Sequence, residues 1–551
     1  MNTFMKKWFV VYSRYIIVFA ALLLILFKLL YRYDASLDLV GYDEASYVQT
    51  ALFGPLRIDG IVYYLYLKIL NIFIPDAANL YVANFGIVTI LFAVSIFVSA
   101  AVLLRSALLS VCFATLFTLA TFTATMWPFI SHFTAAVILI LLIAVHFTPA
   151  KYRLLSVLIG AILLSYIRPE FSLTFIVVLV AAVVSIVLAL KAGRRPNFAL
   201  LAAVIVCFTI FFMYNPSVGG RSYAAFAQHY ALDLSKAGLF DGNPWTEAQI
   251  AMSRDFGNAT TVPSLVMANP IAFFLHIIRN VGYTFYELSE MMTPLYGQDT
   301  IWGSVVAGSI FILGLVWMFD FMSQLWHRSI DGVALFAATV VLPVIISVLV
   351  IFPRHHYLIM ITPVITLMAL RSKVWQVLIA KLKPESLPVI WHRVLFGISL
   401  VLLLVFVPWR VNGRFGFRIP KNVYTVHGQS SCTNRDKIKF LHNLKLNTDQ
   451  VNFLSSMGFL KPFLPEGWNE VLHFMIDQHF DDYLRSHVIN AIWVMPNLSN
   501  EGSFQDEQGF KKFIANPGLP WQALHLKECT DQYLLIHKDL LISPQTVPVS
   551  E

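Results

Sequence analysis

Charge is scarce in this sequence of 551 residues: 13% are charged, 58% are hydrophobic and the mean hydropathy is +0.70. A soluble globular protein is about 25% charged and 45–50% apolar, so that class is excluded. No Gly-x-x-x-x-Gly-Lys-Ser/Thr loop occurs, which removes the P-loop ATP-driven machines, and there is no internal repeat or low-complexity segment. Cysteine is limited to four residues. Cys112 and Cys207 sit in apolar runs, where cysteine packs as a small hydrophobe. Cys432 and Cys529 have no zinc-type spacing and are expected to form a disulfide if their stretch lies on an oxidising side. Up to Trp409 there are 25 bases and 17 acids, and from Arg410 onward 14 of each, so the net charge of +8 belongs to the apolar part. A basic excess spread over short loops between apolar runs orients a membrane protein and gives no support for nucleic-acid binding.

What is present is a series of long apolar runs. A membrane-crossing helix needs about 20 such residues, and eleven segments qualify or come near: 15–31, 78–104, 107–126, 132–148, 154–167, 171–190, 197–214, 301–322, 332–352, 356–371 and 390–408. The first follows Lys6 and Lys7 like a signal peptide. Its exit, Lys28-Leu-Leu-Tyr-Arg32, has no small-residue cleavage site, so it is expected to remain as an anchor. With the N-terminus cytoplasmic, 15 bases face three acids inside, and the other side holds 10 bases and 14 acids. That asymmetry agrees with the positive-inside rule, and an odd number of crossings puts the C-terminal stretch outside.

The expected fold class is an α-helical polytopic membrane protein of about 11 transmembrane helices over residues 1–409, followed by a soluble extracytoplasmic α/β domain over 410–551. Outer segments 32–77 and 215–300 interrupt the membrane domain. Within the first, Val62 to Leu70 with Ile72 to Ile74 reads as an amphipathic surface helix; within the second, Asn269 to Met292 reads as an interfacial helix, because a lipid-exposed span would have to bury His276, Arg279, Glu287 and Glu290. In the C-terminal stretch Arg435 to Leu446 is helix-like, and Val451–Ser455, Ala491–Met495 and Gln532–His537 read as strands.

The topology gathers charged residues at the outer ends of the helices. Asp43 and Glu44 occur in Gly41-Tyr-Asp-Glu-Ala-Ser-Tyr47, Arg168 and Glu170 in Ser165-Tyr-Ile-Arg-Pro-Glu-Phe171, and Arg354, His355 and His356 in Phe352-Pro-Arg-His-His-Tyr357. Cations that hold a phosphate and a carboxylate that removes a proton from a hydroxyl suit a reaction on a lipid-linked anion. Plainer readings stand beside this one. Asp43 and Glu44 could be solvated loop acids, Arg168 and Glu170 could pair with each other or cap helix ends, and Arg354 with the histidines could meet lipid head groups.

The Asp-Glu followed by Tyr47 after the first helix, the Arg168-Pro-Glu170 turn, and the Arg/His turn running into Tyr357-Leu-Ile-Met-Ile-Thr-Pro363 resemble the C-type (GT-C) membrane glycosyltransferase superfamily, nearest to its protein O-mannosyltransferase and lipid A aminoarabinose transferase branch. The resemblance covers roughly residues 10–410. It implies an inverting enzyme in a bacterial inner membrane that moves a sugar from a polyprenyl-phosphate donor to a glycan, lipid or protein acceptor outside the cytoplasm. By the same resemblance Asp43 is the base and Glu44 its supporting neighbour or a metal-binding partner. Arg354 and His355 match positions near the donor phosphate, with Arg168 and His356 beside them and Glu170, Tyr47 and Tyr357 in support. A divalent metal ion is a candidate cofactor, with no ligand cluster evident; a second outer-loop acid is expected, and Asp233, Asp241, Glu247 and Asp255 all qualify. No Asp-x-Asp motif of a nucleotide-sugar enzyme is present, in agreement with a lipid-linked donor.

Three other functions compete. A transporter or lipid flippase would place ionisable residues or broken helices near the bilayer centre, whereas the charges here cluster at helix ends and Asp320 lies near a cytoplasmic end. A glycan polymerase or ligase of another superfamily also uses outer-loop arginines; the long soluble stretch and the early Asp-Glu argue against it. A noncatalytic scaffold whose C-terminal domain binds a partner is the third.

Overall fold

The structure is a computed structural model that describes residues 3–31, 33, 37–39, 43–120, 129–216, 221–245, 247–293, 300–327, 331–382, 389–407, 409–411, 414–416, 433–448, 450–455, 460–471, 479–495, 507–526, 529 and 532–542. The chain forms two compact units, Met1–Ala35 with Arg57–Tyr63 and Phe85–Lys421, and Ser36–Leu56 with Tyr64–Asn84 and Asn422–Glu551.

Up to the second long segment the helices are α1 (Thr3–Leu30), α2 (Asp43–Leu52), α3 (Ile61–Phe73), α4 (Ala77–Leu104), α5 (Ala107–Thr118), α6 (Ile130–Phe147), α7 (Arg153–Ser165), α8 (Ser172–Lys191) and α9 (Phe198–Met213). That segment supplies α10 (Arg221–Lys236), α11 (Ala248–Phe256), α12 (Val262–Ala268) and α13 (Pro270–Met292). Then come α14 (Thr300–Trp326), α15 (Gly332–Val350), α16 (His355–Arg371), α17 (Lys373–Leu382) and α18 (Val389–Phe406), and a two-stranded ribbon, β1 (Trp409–Val411) and β2 (Arg414–Gly416).

Among the described residues six helical stretches are long and apolar enough to cross a membrane: Ser13–Leu30, Ala77–Leu104, Ile130–Phe147, Pro169–Lys191, Ile301–Trp326 and Gly332–Val350. The other five expected spans form as α5, α7, α9, α16 and α18, of 12, 13, 16, 17 and 18 residues. At about 1.5 Å per residue the shortest rises only about 18 Å, well under a hydrocarbon core of about 30 Å. The described residues thus hold six helices able to cross a membrane by length and composition, or seven if α12 and α13 count as one, which is compatible with a helical membrane protein.

The α12–α13 pair bends by 115°. Pro270 opens α13 and has no N–H to continue α12, and Asn269 between them is extended (φ −149°, ψ 83°) as a residue before proline prefers. Its side chain closes the corner by accepting the Ala272 N–H at 3.0 Å and donating to the Asp255 carbonyl at 3.0 Å. The faces of α13 are inverted relative to a soluble amphipathic helix. His276 and Asn280 are buried, while Ile271, Phe274 and Ile278 are exposed. Of the polar groups that argued against membrane entry, His276 is buried, Arg279 and Glu287 are partly buried in ion pairs, and the Glu290 side chain is exposed.

The second unit is not the contiguous 410–551 of the sequence reading. It recruits segments 36–56 and 64–84, through contacts that only folding could bring together. Asp38 Oδ1 accepts the Arg435 N–H at 3.2 Å, Asn434 Nδ2 donates to the Leu39 carbonyl at 2.8 Å, and Tyr81 meets the Phe463 ring edge-on at 5.7 Å. The C-terminal part contains α19 (Asn434–Asn443), β3 (Val451–Ser455), β4 (Trp468–Val471), α20 (Phe480–Ser486), β5 (Ala491–Val494), α21 (Glu507–Ala515), β6 (Trp521–His525) and β7 (Tyr533–His537). The sheet order is β4-β3-β5-β7-β6, with β3 parallel to β4 and β5, and β7 antiparallel to β5 and β6. Strand β5 is buried at every residue, as a central strand covered on both faces must be. Ile492 and Val494 pack with Phe480 and Phe510 of α20 and α21, and Trp493 turns the other way, edge-on to Phe440 of α19. The predicted α/β character and all three predicted strands are present.

Candidate functional site

In the first unit the charged residues gather where α15 gives way to α16. Pro353 sits in a tight turn closed by the Arg354 N–H donating to the Phe352 carbonyl at 3.1 Å, and Arg354 is the N-cap of α16 without a capping side-chain bond, so its guanidinium is available for other work. It lies over the Trp245 ring, 5.0 Å from the centroid, and among the described residues it has no carboxylate within ion-pair distance. An uncompensated cation at the positive end of a 17-residue helix is an anion-binding arrangement.

Beside it stands His229 of α10, 5% exposed. Its Nδ1 is 2.6 Å from the Ala225 carbonyl and therefore carries the proton, leaving Nε2 as a bare acceptor, buried and without a hydrogen-bond partner. The ring stacks on Phe352 and meets Trp245 edge-on. Burial, then the Arg354 charge, push its pKa down to about 4, so His229 is a neutral acceptor at pH 7.

Arg168 is 7% exposed. It donates from Nη1 to Ser131 Oγ at 2.9 Å and from Nη2 to Glu170 Oε1 at 2.8 Å, and lies 5.2 Å from the Tyr357 ring centroid. Arg168 and Glu170 thus pair with each other, and Arg168 is neutralised where Arg354 is not. His356 is buried against the Tyr357 ring, within electrostatic reach of Arg168, Arg354, His229 and His355.

His355 turns toward α13. Its Nε2 is 3.1 Å from Glu287 Oε2 and 3.7 Å from Glu290 Oε2, and these three residues form a group able to hold a metal ion. The remaining carboxylate oxygens have other partners: Lys236 Nζ is 3.2 Å from Glu287 Oε1, and the Tyr286 hydroxyl donates to Glu290 Oε1 at 2.5 Å. One oxygen of each acid is thereby oriented toward the imidazole, the arrangement by which outer partners set metal ligands. Two carboxylates and an imidazole suit Zn²⁺ or Mn²⁺. The Lys236 ammonium works against a cation there.

Neither a protein-family model nor a curated protein sequence matches this chain.

The second unit holds Asp43, Glu44 and Tyr47 in α2. Asp43 is half-buried in the first turn. Glu44 is fully buried and accepts a hydrogen bond from Asn84 Nδ2 at 3.3 Å, so it is not a solvated loop acid. Tyr47 is buried with its ring 5.9 Å from Tyr64. Among the described residues the acids with metal-type geometry are Glu287 and Glu290 and not the Asp43–Glu44 pair. Cys529 is disulfide-bonded, while its expected partner Cys432 lies outside the described residues; Cys112 and Cys207 are free.

Of the four second-loop acids that the sequence leaves equivalent, Asp233 stands out. It is fully buried, with Oδ2 2.7 Å from His276 Nδ1 and 2.6 Å from Arg279 Nη2. His276 Nε2 faces the Val350 and Ile351 carbonyls at 3.2 and 3.0 Å, so this network ties α10 and α13 to the end of α15, two residues before the Pro353–Arg354 corner. Burial pushes the Asp233 carboxyl up, but the bonds from His276 and Arg279 outweigh it and hold the group below the usual carboxylate range. His229, Trp245 and Lys236 carried no sequence signal; Glu287 and Glu290, three apart on one helix face, carried a weak one.

Proposed function

We propose that this protein is an integral-membrane glycosyltransferase, of an inner-membrane type, which moves a sugar from a polyprenyl-phosphate donor to a glycan, lipid or protein acceptor. The observation that carries the reading is the Arg354 guanidinium, without a carboxylate partner among the described residues, at the N-terminus of α16 and over Trp245. A phosphate leaving group needs preorganised positive charge where its own charge develops. The exposed Trp245 ring suits a sugar's C–H face, with the buried His229 edge-on behind it. Arg168, held by Ser131 and Glu170, fixes Tyr357 beneath the cluster and works as a positioning residue. A divalent ion held by Glu287, Glu290 and His355 would supply Lewis-acid neutralisation of phosphate oxygens. The base assigned by motif resemblance is Asp43, with Glu44 holding its helix through Asn84.

The experiment is mass spectrometry of envelope glycans and polyprenyl-linked sugars from cells lacking the protein, complemented with the parent chain, Arg354→Gln or Asp43→Asn at matched abundance. The parent restores a missing sugar and neither variant does. Restoration by Arg354→Gln would overturn the phosphate assignment, restoration by Asp43→Asn the base. Glycans and lipid-linked sugars unchanged by the deletion, with expression confirmed, would sink the transferase reading.

A further inference from the structure

At the opposite end of α16 lies an open cavity of about 280 Å³, lined by the C-terminal turns of α14 and α16 and the starts of α15 and α17. Its lining includes Trp317, Asp320, Gln324, Asp331, Arg371 and Lys373. Asp320 is 9% exposed and accepts a hydrogen bond from Gln324 Nε2 at 2.7 Å, yet among the described residues no cation is within ion-pair distance of it. Arg371 is engaged elsewhere, in an ion pair with Asp331. Lys373, the first residue of α17, is exposed and has no acid partner among the described residues.

A buried carboxylate without a counter-ion is expensive, and in a membrane protein such a group marks a binding site by default. Here it opens onto a cavity that also presents an unpaired ammonium. The complement of that pair is a zwitterion whose ammonium meets Asp320 and whose phosphate meets Lys373. The surroundings favour a lipid as its source, because Phe319, Met322 and Leu325 on the same stretch of α14 are exposed apolar side chains, and α14 is long and apolar enough to cross a membrane.

We propose that this cavity binds the phosphoethanolamine head group of a phosphatidylethanolamine molecule. A primary ammonium donates up to three hydrogen bonds to Asp320 and its neighbours, which the quaternary ammonium of phosphatidylcholine lacks and the uncharged glycerol of phosphatidylglycerol cannot replace with charge. The site is independent of the transferase reading.

The test is native mass spectrometry of the full chain in detergent, titrated with phosphatidylethanolamine, phosphatidylcholine and phosphatidylglycerol of identical acyl chains, and with glycerophosphoethanolamine as the soluble head group. Phosphatidylethanolamine is expected to bind about tenfold more tightly than the other two lipids, the worth of a charge-assisted hydrogen bond. Asp320→Asn should abolish that preference, and Lys373→Gln, at an exposed position, should weaken all three lipids alike. Equal affinity for the three lipids on the parent chain overturns the proposal without recourse to any variant, as does a preference that survives Asp320→Asn. Glycerophosphoethanolamine binding as tightly as the intact lipid would overturn the lipid assignment.

Discussion

Asp233→Asn removes one charge from a buried network and almost no volume. In the parent, Asp233 and His276 are fully buried and Arg279 is 26% exposed. Taking one partner from a buried ion pair costs about 3–5 kcal/mol, because the charge left behind has no compensation. Arg279 can recover hydration at the surface and its share is discounted, which puts the expected loss at the lower end, about 3 kcal/mol. Against a stability of about 5–15 kcal/mol that is a large fraction. The assay is thermal unfolding of the purified full chain by intrinsic fluorescence. Because the chain has two compact units, a single two-state treatment does not apply, and the prediction is that the transition of the unit holding α10 and α13 falls by several degrees while any transition of the other is unmoved. His276→Gln and the double variant complete a cycle with a coupling energy above about 1 kcal/mol. The pH dependence has a definite sign. The folded-state carboxyl is held below its usual range, so its contribution is fully present above about pH 4, the ordinary aspartate value, and is lost as pH falls further. Parent and variant should therefore converge in acid. Unfolding curves that superimpose at neutral pH, or a cycle that is simply additive, would refute the reasoning.

Two further outcomes are expected. A methyl group at Gly303 would run into the Thr293 hydroxyl and the Ser289 carbonyl, whereas at Gly308 it would meet nothing within 4 Å; Gly303→Ala should destabilise by about 1–3 kcal/mol by overpacking, and Gly308→Ala, one of the gentlest changes in a helix, should be neutral or stabilising by up to about 1 kcal/mol in the same thermal assay. The Glu287–Glu290–His355 group should retain Zn²⁺ or Mn²⁺ through dialysis, measured by metal analysis, and Tyr286→Phe, which leaves every ligand in place but frees Glu290 Oε1, should lower affinity about tenfold or more; calorimetry that shows no binding to the parent would mean that the Lys236 ammonium beside Glu287 keeps a cation out.

Much of the architecture is legible along the chain because its causes are local. An apolar run of about 20 residues declares a membrane helix whatever surrounds it, and Ser13–Leu30, Ala77–Leu104 and Gly332–Val350 follow from composition alone. The Asn269–Pro270 corner follows from a missing N–H, and Val451–Ser455 and Tyr533–His537 from their β-branched and aromatic content bounded by turns. Length also set a limit, since the apolar run near residue 107 yields a described helix of only 12 residues.

Pairings between distant residues were not legible, because the free energy that selects them comes from burial and no local pattern encodes it. Asp233, Asp241, Glu247 and Asp255 are alike as letters; only the packing of α13, 43 residues further on, buries the first against His276. His229 becomes notable only because its Nε2 is sealed beside Arg354 with no donor to meet it. Glu287 and His355, and Asp320 with Lys373, lie more than fifty residues apart and share a site only in the folded chain. Composition and local sequence determined that this is a helical membrane protein with an α/β unit and a set of helix-end charges; tertiary packing decided which of those charges are neutralised and which remain free, because an ion pair depends on distance in space and not along the chain.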